Sequence, residues 1–481
     1  MRTHVRLAMA MVVAIGGRAF ASAPDATAEL RALQSEMQAQ QSILNSQSRE
    51  LSGLRADQGQ TWLTEARAEQ VKSLVREVLS DADTRASLMD SAITAGHNGK
   101  NFFLASEDGN FLLTVDGQIQ VRYIWNQIKD DGTRNDREGF QMRRAKLAFR
   151  GHVYDPKLTY GVRIANDYTD GGMFLEEAWG AYDVADGWNV KGGQFKAPFL
   201  HEVLVDDRYQ LAVERSIVAD VFKVGYTQGV QLSYTSDMFH VAAMIHDGSN
   251  AANSDYTLVG TGSGSSGFTP EAEIAFAARG ELKLMGTWDQ FNDFTTWSTD
   301  GTGVMLGAAV DYENAEGDTG AVTEPDMLKW TIDASAEVPS MFGFNAYAAF
   351  VGAHSFTREH GGGDADMDNY GLVVQAAVFV VPDQWEVFGR YEWFDLQGDI
   401  DSNDPLFKGQ HENPQFLTLG TNYYMHKHGS KFTLDVVWVM TPTDGLSDTT
   451  DGVNFPNTGT ALLDTGRSNE VSIRAQYQLL F

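Results

Sequence analysis

The chain has 481 residues, with 36 Lys and Arg against 65 Asp and Glu for a formal charge of -29, 47 Gly, only 11 Pro, 11 % aromatic residues and no Cys. That acidity excludes nucleic acid as a partner, since a phosphate backbone is bound through clustered Lys and Arg, and the missing Cys exclude disulfides, thiolate chemistry and Cys-ligated zinc. Beyond the leader there is no apolar run of the ~20 residues a spanning helix needs, so the mature chain is soluble or a closed barrel.

Residues 1–21 read as a secretory signal peptide: Arg2, His4 and Arg6, an apolar run from Leu7 to Ile15, then small residues ending Ala19-Phe20-Ala21. Residues 22–95 read as a helical, periplasmic segment. From Leu30 the seam runs Leu30, Leu33, Met37, Gln40, Leu44, Gln47, Leu51, Leu54, a coiled-coil spacing in which two Gln fix register at some cost in stability. A short self-associating helix fits this better than a solitary amphipathic one. Gly53 and Gly59 break the frame before a second helical face of Val71, Leu74, Val75, Val78 and Leu79, and residues 96–109 read as a linker.

From residue 110 to 481 the apolar period is 2, the mark of strands. In the first, Val115, Gly117, Ile119, Val121, Tyr123 and Trp125 alternate with Asp116, Gln118, Gln120 and Arg122. About sixteen such segments recur, starting near residues 111, 140, 158, 173, 188, 228, 239, 273, 303, 328, 344, 370, 385, 416, 431 and 470. Tight turns such as Tyr154-Asp155-Pro156-Lys157 and Val381-Pro382-Asp383-Gln384 alternate with long polar loops, the asymmetry of periplasmic turns and extracellular loops. The Leu284–Gly301 connection is long yet falls on the turn side, and fits badly. Trp385 and Trp393 bracket one strand as girdle aromatics would. In the last strand Val471, Ile473, Ala475, Tyr477, Leu479 and Phe481 make an unbroken apolar face, and Phe481 ends the chain as an assembly signal for the barrel-insertion machinery. The fold expected is an all-β transmembrane antiparallel barrel in an outer membrane, in contact with lipid and lipopolysaccharide, with the N-terminal segment in the periplasm.

If apolar residues face lipid, their polar neighbours face the lumen. Arg144, Lys146, Arg150 and His152 then form a basic stripe, joined by Arg122, Arg163 and Lys191. Inward cations lower the barrier to an anion in a narrow pore. Salt bridging within the wall, to Asp116, Asp167, Glu176 or Glu177, is an equally good reading. Residues 197–228 are too apolar for a surface loop. Folded into the lumen they would set Lys196, Arg208, Arg215 and Lys223 with Glu202, Asp206, Asp207 and Glu214 at the narrowest point; a lid outside the barrel is the alternative.

The runs Gly139-Phe140-Gln141-Met142-Arg143-Arg144-Ala145-Lys146-Leu147-Ala148-Phe149-Arg150-Gly151 and Gly193-Gln194-Phe195-Lys196-Ala197-Pro198-Phe199, with Glu214-Arg215, resemble the phosphate-selective porin O and P family. The likeness covers most of residues 110–481, with its distinctive motifs in the first third. It implies a sixteen-stranded homotrimeric barrel, a long loop folded inward, and Arg143-Arg144 as the family's paired arginines, although strict alternation puts only one of the two in the lumen. Where anion-selective members carry clustered lysines, this chain has Asp206-Asp207-Arg208 and Glu214-Arg215, a mixed charge that suits general diffusion.

No Gly-x-Ser-x-Gly elbow, P-loop or His-Glu-x-x-His motif is present. No enzyme, cofactor or metal site is expected. Asp364-Ala365-Asp366-Met367-Asp368-Asn369 lacks the glycine and closing Glu of a calcium loop and reads as an acidic surface loop, and His426-Lys427-His428 reads as a solvent-facing turn. The function expected is passive diffusion of small hydrophilic solutes or ions with some anion preference. The alternative is a structural tether from outer membrane to peptidoglycan through residues 30–95.

Overall fold

The computed structural model describes residues 93–99, 101–130, 133–249, 251–253, 272–315, 326–356, 367–396, 413–441 and 470–481, with Ser42, Ser46 and Leu462. The signal peptide, the coiled-coil seam, the second helical face and Asp364–Asp366 lie outside these residues.

The period-2 stretches form strands β3 (Leu112–Asp130), β4 (Thr133–Val153), β5 (Asp155–Asn166), β6 (Met173–Ala185), β7 (Trp188–Lys196) and β8 (Tyr226–Thr235). They continue through β9 (Phe239–His246), β10 (Ala272–Met285), β11 (Gly303–Ala315), β12 (Asp326–Val338) and β13 (Phe344–Phe356). The circuit ends with β14 (Met367–Val381), β15 (Trp385–Leu396), β16 (Gln415–Tyr424), β17 (Ser430–Val439) and β18 (Val471–Leu480). Each pairs antiparallel with the next, and β18 pairs with β3, Ala475 opposite Tyr123, so 16 strands close into a barrel. Closure removes the open edges that lipid cannot hydrogen-bond.

Burial is inverted relative to a soluble protein. Gln118, Gln120, Arg122, Arg474 and Gln478 are at most 1 % exposed, whereas the outward Val230, Ile245, Ile332 and Leu419 are more than half exposed. Polar side chains line the inside and apolar ones the outside, which is stable only where the outside is hydrocarbon. Among the described residues no helix is long and apolar enough to cross a membrane.

Strands β6, β7, β9, β11, β13 and β15 start where the sequence pattern puts them, while β4 starts at Thr133 rather than near 140. The extra residues ladder onto the far end of β3, Asn126 opposite Arg137, and Thr133 to Glu138 are all polar, so no alternation marks them in the sequence. The stretch read as the end of a helix and a linker is instead a hairpin of β1 (Ile93–His97) and β2 (Phe102–Ser106). β2 pairs with Leu112–Val115 of β3, the same edge that β18 takes from Gln118 onward, so it prolongs the line of the last strand.

At that junction Gly117 and Phe481 exchange backbone hydrogen bonds of 2.7 and 3.0 Å. The Phe481 ring lies where a Cβ on Gly117 would be, 2.3 Å from Cζ. Substituting Gly117→Leu is therefore expected to displace Phe481 and lower the fraction of heat-modifiable, folded barrel on a cold detergent gel; an unchanged fraction would show that this seat does not matter to closure.

Candidate functional site

β7 ends at Lys196, and Ala197-Pro198 turns the chain into the lumen. Residues 197–225 form helix α1 (His201–Leu204), a tight turn at Asp207–Tyr209 and helix α2 (Ile217–Phe222). Ser216 caps α2 by accepting from the Ala219 amide, and the Glu202 carboxylate accepts from the Ser216 amide and hydroxyl at 2.6 Å each. Phe199, Leu200, Leu211, Ile217, Val218 and Phe222 are fully buried against Tyr347, Val351, Phe394, Phe416 and Val437 of the far wall. At about 1.5–3 kcal/mol for each side chain buried, this contact offsets the entropy of ordering the loop. Gly371 of β14 makes the room, since a Cβ there would lie 2.7 Å from the Phe222 ring.

Charge fastens the loop across the barrel. Glu214 binds Arg122 at 2.8 Å, Arg143 at 2.5 Å and Arg144 at 2.6 Å. Asp207 meets Arg144 at 3.0 Å and Lys146 at 2.5 Å, and Lys146 also reaches Glu176 at 2.5 Å. Arg163 contacts Glu176, Glu177 and Asp206 at 3.2, 3.4 and 2.9 Å. Arg208 bridges Asp116 at 2.9 Å and Asp206 at 3.1 Å, and Arg150 takes Asp116 at 2.8 Å. Further round the wall past β3, the Val213 amide donates to Asp435 of β17, itself paired with Arg474 of β18 at 2.8 Å, and the Ile217 amide donates to Glu392 of β15 at 2.5 Å. Arg390 and Lys431 donate to the Glu214 and Gln210 carbonyls.

Both paired arginines reach the lumen, contrary to strict alternation. The ladder steps from Gln120 opposite Arg144 to Val121 opposite Met142, leaving Arg143 as the extra residue of a β-bulge. A second bulge, between Arg163 and Ile164, turns Glu176 and Glu177 inward together.

Such a closed barrel, polar within and crossed by an inward loop, is an outer-membrane channel architecture, and residues 113–479 match the family described as phosphate-selective porin O and P. The chain belongs to that family. It is an outer-membrane porin. Solved structures similar to it include the outer-membrane channel DcaP of Acinetobacter baumannii (13 % identity, TM-score 0.49, covering 78 % of this chain and 99 % of that one). Others are the anion-selective porin from Comamonas acidovorans (12 %, 0.48, 77 % and 99 %) and OmpT of Vibrio cholerae (10 %, 0.47, 77 % and 98 %). Among curated proteins none matches.

Of the two readings of the porin's basic stripe, wall salt bridging describes Lys146, Arg150 and Arg163, which meet Glu176, Asp116 and Glu177, whereas Arg144 pairs with the loop acids Glu214 and Asp207; Asp167 takes no part, its carboxylate instead accepting from Thr169. Lys191, Lys196 and Arg215 differ: among the described residues none has a carboxylate at salt-bridge distance. The Lys191 ammonium sits between the Trp179 and Phe195 rings at 4.3 and 4.2 Å, and Lys196 donates to the Val203 carbonyl at 2.7 Å. Arg215 donates to the carbonyls of Glu202 and Val205. Lys223 lies at the end of the loop, paired with Asp220. A cavity of about 250 Å³ remains between the loop and the wall of β5–β10, lined by Arg163, Lys191, Lys196 and Arg279 and by Glu177, Asp206 and Glu281.

The long turn-side connection after β10 also folds inward. Phe291, Phe294 and Trp297 are buried, and the Phe294 amide reaches the Tyr209 carbonyl of the loop at 3.4 Å. Trp297 packs on Phe379, Tyr424 and His428 with ring centroids 5.0–5.7 Å apart. The reading of His426-Lys427-His428 as solvent-facing therefore fails for His428, only 6 % exposed, because this segment covers it. His426 and Lys427 are exposed. Sequence reasoning missed Arg279, Glu281, Asp333, Arg390, Glu392 and Asp435. Their position on the polar side of alternating strands marks them as inward, but nothing in the spacing says which acid meets which base.

Burial alone would raise the Glu214 carboxyl, and Arg143, Arg144 and Arg122 overcome it to hold it well below the ordinary 4.5. A depressed carboxyl stabilises the folded loop above the unfolded value, and that contribution is lost only as pH falls through the folded one. The latch is thus expected to leave conductance flat from about pH 8 to about pH 5; a transition within that window, absent in Glu214→Gln, would show that Glu214 titrates there.

Proposed function

We propose that this porin is a passive diffusion channel for small hydrophilic solutes, whose path runs past the inward loop along the β5–β10 wall. The observation that carries the reading is the loop itself, fastened to strands β15–β18 and β3–β6 and leaving a charged cavity along β5–β10. Most lumen cations are matched by acids, which suits general diffusion, while the unmatched Lys191, Lys196 and Arg215 give a mild anion preference despite the acidic chain. Selectivity for phosphate is not part of the proposal, because the arginines nearest the loop are held by Glu214 and Asp207. The chain acts as a channel and not as a catalyst. We further propose a homotrimer, exported by residues 1–21, with the segment from residue 22 up to the β1–β2 hairpin as a periplasmic coiled coil. A tether through residues 30–95 has no observation in its favour. Liposomes holding the porin should swell in neutral sugars at rates that fall steeply with sugar size; no swelling from folded protein would refute diffusion.

A further inference from the structure

The cavity along the β5–β10 wall is more than leftover space. Its acids are all engaged: Glu177 by Arg163 and Arg150, Asp206 by Arg163 and Arg208, Glu281 by Arg279. Two of its cations are not engaged by any carboxylate among the described residues. Lys191 is held by ring faces, which offset part of the cost of an unpaired ammonium yet satisfy none of its three N–H donors. Lys196 spends one donor on the Val203 carbonyl and keeps two. The formal charge of the lining is +4 from Arg163, Lys191, Lys196 and Arg279 against -3 from Glu177, Asp206 and Glu281, a net of +1 within a chain of formal charge -29.

The uncharged lining is Phe195, Pro198, Leu204 and Ala242, with Trp179 over Lys191, and two polar side chains, Gln231 and His240. Trp179 can lie there because the wall beside it is Gly161, where any Cβ would come within 2.5 Å of the indole. We propose that this cavity is a binding subsite for a small monocarboxylate carrying a compact apolar body, such as an aryl acid, met by its carboxylate on Lys191 and Lys196. Inorganic phosphate suits it less well. A strongly hydrated ion would lose water against Phe195, Pro198, Leu204 and Ala242, which return no hydrogen bonds. Size also fits, for a cavity of about 150 Å³ holds benzene and this one is about 250 Å³.

The proposal rests on the diffusion reading and is tested apart from it. In planar bilayers, benzoate should interrupt the single-channel current in a saturable way, while benzamide, its neutral isostere, and inorganic phosphate at equal concentration should not. Acetate, lacking the apolar body, should act about tenfold more weakly or less. Lys191→Gln with Lys196→Gln should abolish the benzoate block in protein shown to be folded by its heat-modifiable migration. A conducting native channel that ignores benzoate, a block that survives the double substitution, or phosphate acting as well as benzoate would each overturn the subsite. Should folded protein pass no current, the channel reading fails instead. Calorimetric titration of benzoate against benzamide into the detergent-solubilised native porin then decides the subsite alone, binding of benzoate supporting it and no heat overturning it.

Discussion

Replacing Glu214 by Gln is expected to shift the channel toward anions more than any other single substitution in the lumen. Arg122, Arg143 and Arg144 face Glu214 and Asp207 there, a local net charge of +1 that becomes +2 in the variant. Two charges 4 Å apart interact by about 4 kcal/mol at an effective dielectric constant of 20. Water and salt in the lumen reduce this to about 1 kcal/mol, which still changes a permeability ratio about fivefold. The measurement is the reversal potential across a salt gradient, expected to move toward the chloride limit. An unchanged potential would place these arginines off the ion path. The same substitution leaves three arginines without their shared carboxylate, so a noisier, more variable open level is expected with the shift.

Excising residues 199–222 and bridging the ends with a short Gly-Ser linker is expected to raise unitary conductance severalfold. The wall would survive, because strand pairing around the barrel does not use the loop, and barrels of 16–18 strands otherwise enclose an open aqueous channel. Folding yield should fall, since Tyr347, Val351, Phe394 and Phe416 lose the apolar surface that covers them. Conductance equal to the native value would show that the loop does not form the constriction, and would direct attention to Phe291–Trp297 at the turn end.

What the sequence reveals is the part governed by period. Inward and outward faces of Val115–Trp125, Arg144–Arg150 and Val471–Phe481 follow directly from alternation, because a lipid-facing surface tolerates no polar side chain. The inward loop is legible for a related reason: Phe199, Leu211, Ile217 and Phe222 cannot be left in water. The bulge at Arg143 was not legible, since one extra residue leaves no local trace in composition. Neither was the β1–β2 hairpin, whose five-residue strands are too short to show a period. The Leu284–Gly301 connection announced itself only by its length; that Trp297 covers His428 depends on Phe379 and Tyr424, which the chain supplies more than eighty residues later. Charge pairing was the least legible, because Glu214 meets Arg144 across 70 residues of sequence and Arg122 across 92. The pairings nonetheless decide the site, since they separate the compensated cations from Lys191 and Lys196.

The most direct test of a constricted, weakly anion-preferring porin is single-channel recording of the native protein in a planar bilayer under a salt gradient. Discrete conductance steps, with a reversal potential displaced modestly toward chloride, are the predicted result. Folded, heat-modifiable protein that inserts but gives no steps, or steps with strong cation selectivity, would contradict it.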